Sequence, residues 1–195
     1  MPTQAAPQAV TPTRHSGPAP AVTEAGHPRR WSIMAVLGAV AFMAQLDFFV
    51  VNVALDGIGR SFPGTGVASA SWVLSAYAIV FAAVLVPAGR IADRWGRRKM
   101  LLSGVALFTL TSAVAAAAPT LGVLVGARAL QAIGAAMIVP TSLGLLYPIF
   151  PRRQHKLVVG LWAGVGAFAA SGGAPVGGLL VTRHSRWICL SNVAV

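Results

Sequence analysis

Few side chains in this chain can carry a charge through chemistry, and two of them stand where charges are rarely found. The 195 residues include 15 Lys and Arg but only four acids, Glu24, Asp47, Asp56 and Asp93. Asp47 lies inside the apolar run Trp31–Val53, and Arg128 lies inside another, Leu121–Ile149. A charged side chain at mid-membrane costs about 2.5–3.5 kcal/mol on the insertion scale, so it persists only when paired or wetted. Their depths can be compared. Asp47 is 16 residues beyond Trp31, about 24 Å along a helix rising 1.5 Å per residue. Arg128 is 7 residues into a span running the other way, roughly 20 Å up in a core about 30 Å thick. The two can therefore meet. One reading is a static ion pair joining the first span to the fourth. In the other, Asp47 binds and releases a proton as its exposure alternates and Arg128 tunes the exchange, because burial and a nearby cation both act on a carboxylate's proton affinity.

Other chemistries lack their residues. The histidines, 15, 27, 155 and 184, have no metal-ligand spacing, and the single Cys189 excludes an internal disulfide. No nucleophile–base constellation, phosphate loop or metal motif is present, so neither an enzyme nor a bound cofactor is expected. Asn52 and Gln131 are polar groups at membrane depth. They read either as interhelical hydrogen-bonding groups, worth about 0.6 kcal/mol each, or as lining of a cavity. Phe42, Met43, Phe48, Phe49, Phe81 and Trp162 are candidates for its apolar wall.

The elements that must position these residues are long apolar helices. The chain is 56% hydrophobic and 10% charged, against about a quarter charged in a soluble domain. Residues 1–30, with six prolines, are expected to be a disordered tail. The transmembrane domain is expected over 31–195. Its spans are Trp31–Val53, Ser71–Ala88, Met100–Ala118, Leu121–Ile149 and Leu157–Val181, with Ile188–Val195 beginning a sixth. A Gly/Pro-rich turn is expected over 54–70, and basic hairpin loops over Gly89–Lys99 and Pro151–Lys156. This is an all-α integral membrane protein with five complete helices. The net charge of +11 could suggest nucleic acid, but the cations cluster between spans rather than along a soluble face. With the N-terminus inside, eleven Lys and Arg fall on the cytoplasmic side and Arg60, Arg183 and Arg186 on the other, as the positive-inside rule requires. The expected place is the cell membrane, with the lipid bilayer as partner and no nucleic acid.

The motifs are similar to those of one family. Gly89-Arg90-Ile91-Ala92-Asp93-Arg94-Trp95-Gly96-Arg97-Arg98-Lys99 resembles the loop 2–3 signature of the major facilitator superfamily. Leu46-Asp47 with Asn52-Val53-Ala54-Leu55, and Arg128 through Ala136 with Gln131, resemble the first- and fourth-helix motifs of its fourteen-helix drug:proton antiporters. Gly173-Ala174-Pro175-Val176-Gly177-Gly178 resembles their fifth-helix antiporter motif, and Arg186-Trp187-Ile188 the entry to their sixth helix. The chain departs from these patterns at Phe49, Asp56, Ala132, Ala174 and Ala194.

The resemblance implies the N-terminal half of a helix bundle that exports small, amphipathic molecules driven by a proton gradient, by alternating access between two halves. It implies that Gly89, Asp93, Arg94, Gly96 and Arg97 form a gate that latches the halves in one state; proton coupling by Asp47 and Arg128 stays the reading from their burial and charge. Gly166, Ala170, Ala174 and Gly178 recur every four residues, with Pro175 among them. Small residues at that spacing let helices touch backbone to backbone; the resemblance adds that this face meets the other half. That second, C-terminal half is missing from these 195 residues. The competing readings are an inactive membrane fragment and a small membrane scaffold.

Overall fold

The structure, a computed structural model, describes residues 28–53 and 67–181, with side chains described over 28–49 and 71–172. It comprises α1 (Arg30–Val53), α2 (Val67–Trp95), α3 (Arg97–Ala116), α4 (Leu121–Leu146), a 3-10 turn at Arg152–Gln154 and α5 (His155–Val181). No strand occurs among the described residues. Helices α1 to α4 are long and apolar enough to cross a membrane, and α5 has 27 residues. With α5, five long helices are present among the described residues, as expected. The expected tail as far as residue 27, the turn over 54–66 and the start of a sixth helix lie outside them.

The basic segment expected as a hairpin loop is helical on both sides of one residue. α2 runs on through Gly89 and Asp93 to Trp95, and α3 resumes at Arg97. The reason is that the buried stripe continues past the membrane-length run. Ala88, Ala92 and Met100 form one cluster with Val84 and Met137, and residues four apart share a helix face. The turn is confined to Gly96, whose φ of 96° is open to glycine and strained for other residues. Pro87 and Pro140 both sit inside helices, in α2 and α4. α4 stops at Leu146, three residues before the expected end, where Ile149 and Phe150 N–H groups both close onto the Leu146 carbonyl. At its other end the Thr120 side chain caps α4 by accepting from the Val123 N–H at 3.4 Å.

α4 is the hub. It packs along α3 and α2 and touches α1, while α1 packs along α5. The closest backbone approach is between α3 and α4. A methyl at Gly134 would lie 2.9 Å from the Phe108 amide nitrogen, and one at Gly104 would lie 3.1 Å from the Gly134 carbonyl oxygen. Such contact between small residues replaces the hydrophobic drive that lipid removes. Around it Tyr77, Phe108, Ala132, Ala135, Ile138 and Leu146 form the core. Thr141 and Ser142 are buried too, but their hydroxyls bond back to carbonyls of their own helix, Thr141 to Ile138 at 3.0 Å and Ser142 to Val139 at 2.9 Å. α5 is tied to α4 through Trp162, whose Nε1–H donates to Ser142 Oγ at 3.2 Å.

Because backbone rather than a movable side chain faces Gly134, Gly134→Ala is expected to cost about 1–3 kcal/mol by overpacking. Gly126→Ala, with nothing within 4 Å, is expected to be neutral or stabilising. Thermal unfolding of the two variants in detergent measures the difference.

Candidate functional site

The buried charges meet as their heights require. Arg128 Nη1 donates to Asp47 Oδ2 at 2.5 Å and to Gln131 Oε1 at 2.7 Å. The Arg128 and Asp47 side chains are 1% and 0% exposed. Gln131 stands three residues beyond Arg128, on the same face of α4. The arginine's other flank is aromatic: its Cζ lies 4.5 Å from the centroid of the Tyr77 ring on α2. Tyr77 is itself held between Phe48 of α1, 5.5 Å away, and Phe81, 6.1 Å away. One guanidinium thus ties α4 to α1 by an ion pair and to α2 by a cation–π contact, while Gln131 steadies it from its own helix.

Sequence reasoning missed Tyr77, though the height arithmetic could have found it. It stands six residues below Ser71 on a descending α2, close to the level that Arg128 reaches on α4. Gln131, one of the two polar candidates, belongs to the cluster. Asn52 is in the last turn of α1, and its side chain lies outside the described residues. Of the apolar candidates, Phe48 and Phe81 flank Tyr77, whereas Phe42 and Trp162 lie apart, between α1 and α5.

The second expected cluster is at the α2–α3 break. Arg97 Nε and Nη2 both donate to Asp93 Oδ1, at 3.0 and 2.9 Å. Arg97 Nη1 also donates to the Gly144 carbonyl of α4. A methyl at Gly144 would sit 2.5 to 3.0 Å from the guanidinium atoms, so that glycine is the socket in which Arg97 rests. Asp93 and Arg94 are exposed. Gly89 meets only Pro140, at 3.8 Å, an ordinary contact rather than a close approach. Neither Arg97 nor Asp93 is deeply covered, with side chains 40% and 61% exposed, and exposed pairs of this kind contribute about 0–1 kcal/mol.

The third expected group lies on α5. Gly166 faces α1, where a methyl would lie 2.7 Å from Gln45 Oε1. Ala170, on the same stripe, is partly buried. Ala174, Pro175 and Gly178 continue the helix, and their side-chain positions lie outside the described residues. Gln45, unmarked in the sequence reading, thus fills the space that Gly166 leaves.

A family model described as Major Facilitator Superfamily matches residues 37–195. The chain belongs to the major facilitator superfamily. It is 40% identical over 147 residues to "Multidrug resistance protein Stp" of Mycobacterium tuberculosis, covering 75% of this chain and 27% of that one. It is 37% identical over 168 residues to "Multidrug efflux pump LfrA" of Mycolicibacterium smegmatis, covering 86% and 33%. With the puromycin resistance protein pur8 of Streptomyces alboniger it shares 37% over 163 residues, covering 82% and 32%. The chain therefore spans about a third or less of the length of these curated relatives. Its fold matches the crystal structure of a bacterial homologue of the human lysosomal transporter Spinster, inward-facing and unoccupied. The TM-score is 0.65 at 19% identity, over 78% of this chain and 31% of that one.

Within this superfamily half, the Arg97 socket can be tested without transport. Gly144→Ala pushes the guanidinium off the carbonyl and disturbs its hold on Asp93. With Arg97 already replaced by alanine, the added methyl no longer meets the guanidinium. The two substitutions are therefore expected to be non-additive by about 1 kcal/mol, the net worth of one such hydrogen bond. A double-mutant cycle on thermal stability in detergent gives that number.

Proposed function

We propose that this chain forms the N-terminal half of a proton-coupled exporter of small, amphipathic molecules, working by alternating access in a bacterial cell membrane with its N-terminus in the cytoplasm. The observation that carries the proposal is the Asp47–Arg128–Gln131 cluster. A carboxylate sealed against a guanidinium at membrane depth is costly unless used, and intramembrane ionisable residues mark ion and proton paths by default. Opening the cluster to one side and then the other would let Asp47 exchange its partner for a proton, and the proton gradient would supply the energy. The relatives' names, multidrug resistance and efflux, support drug-like cargo.

In the gate, Asp93 and Arg97 at the α2–α3 break would be held in one state and released in the other as the transporter's other half approaches and withdraws. The distribution of cations supports the orientation. α5, with its small residues, would contact that second half along the part of its surface that α1 leaves open: Ala163, Gly164 and Ala167 are exposed.

The test uses inside-out membrane vesicles containing the full-length protein that carries this segment. Adding substrate should release protons from an established gradient, and Asp47→Asn should reduce that release to background while the protein still inserts. Unchanged substrate-driven proton release in Asp47→Asn would refute the proposal.

A further inference from the structure

Asp47 and Arg128 carry the charge buried at membrane depth. Over the spans Trp31–Val53, Ser71–Ala88, Met100–Ala118, Leu121–Ile149 and Leu157–Val181 no other residue is charged. A proton arriving on Asp47 removes the anion beside Arg128, and no other anion within these spans replaces it. A guanidinium in apolar surroundings is costly unless other groups hold it. Where it is then held decides which helices stay together.

Two of its contacts do not depend on the carboxylate. Gln131 Oε1 accepts from Nη1 at 2.7 Å, but Gln131 stands on α4 with Arg128 and moves with it. Tyr77 stands on α2, is 2% exposed, and has its ring centroid 4.5 Å from Arg128 Cζ. A ring face attracts a cation through its quadrupole, which a proton on Asp47 leaves intact. The attraction also grows, because a guanidinium paired with a carboxylate presents less net charge to the ring than an unpaired one. The ring has support from its own helix: Phe81, one turn on, stacks on it at 6.1 Å with an interplanar angle of 12°. The platform therefore does not need α1.

We propose that Tyr77 is a positioning residue for Arg128, holding the guanidinium on α2 when Asp47 is protonated. With Asp47 charged, the arginine joins α4 to both α1 and α2. With Asp47 protonated, α1 is released while α2 and α4 remain joined. The inference rests on reading Asp47 as the group that takes the proton, and adds where its partner is kept meanwhile. The packing suits this division, since α2 packs along α4 whereas α1 only touches it.

The test uses the full-length protein that carries this segment, with Asp47→Asn standing for the protonated carboxyl. Tyr77→Leu, which removes the ring face, and Tyr77→Phe, which keeps it, are each made with Asp47 intact and with Asp47→Asn. Thermal unfolding in detergent is measured for all of them. The loss of Tm caused by Tyr77→Leu is expected to be about twofold larger, or more, in the Asp47→Asn background, and Tyr77→Phe should change little in either. If Tyr77→Leu does not fold, Tyr77→Met, which fills the site with a flexible apolar chain, gives the same comparison. Equal losses in the two backgrounds would overturn the proposal by showing that Tyr77 only packs. Equal harm from Tyr77→Phe and Tyr77→Leu would overturn it by assigning the contact to the hydroxyl. Because asparagine replaces the proton, this outcome is read without transport, whereas the proton-coupling reading itself stands or falls on proton release by Asp47→Asn in vesicles.

Discussion

Opposite charges kept from water inside an apolar bundle are stable only in each other's company. Desolvating either costs several kcal/mol, and a well-placed partner with supporting hydrogen bonds recovers most of it. Asp47 and Arg128 satisfy this condition at 2.5 Å, with Gln131 and the Tyr77 ring completing the arginine's surroundings. The pair therefore constrains the positions of three helices. α1 cannot slide or rotate past α4 without separating the charges, and α2 must keep its ring against the guanidinium. The contact is costly to break while it stays dry, and less costly once water or a proton reaches the carboxylate.

The remaining architecture keeps α4 rigid enough to present that arginine. Backbone contact with α3 at Gly104 and Gly134 sets the spacing. Thr141 and Ser142 satisfy their hydroxyls within the helix, so Pro140 sits in a segment with few stray polar groups. At the far end from Arg128, the Gly144 carbonyl receives Arg97 from the start of α3. The two ends of α4 thus carry unlike devices, a buried ion pair at one and a partly exposed arginine socket at the other. Any tilt of α4 acts on both.

Much of this was legible because membrane spans obey few rules. Length, apolar content and stranded cations gave the helices, and residue heights brought Asp47 and Arg128 together. The legible part ended where packing rather than composition decides. The segment Gly89–Lys99 reads as a loop because it is charged, yet Ala88, Ala92 and Met100 share a buried stripe that continues the helices through it. Tyr77 was overlooked because an aromatic in an apolar run resembles its neighbours until the arginine beneath it is known. The small-residue stripe on α5 was visible, but which helix meets Gly166 depends on Gln45, a residue without a motif. Gly134 and Gly144 do different work, one against backbone and one against a guanidinium, and nothing in their immediate sequence separates them.

The central claim is that Asp47 and Arg128 stabilise the bundle only as a pair. The most direct measurement is thermal unfolding in detergent of Asp47→Leu, Arg128→Leu and the double variant. Each single substitution leaves a buried charge unmatched, and breaking such a pair costs about 3–5 kcal/mol. The account predicts that the double variant is more stable than either single one. Additive losses, with the double variant the least stable of the three, would contradict it.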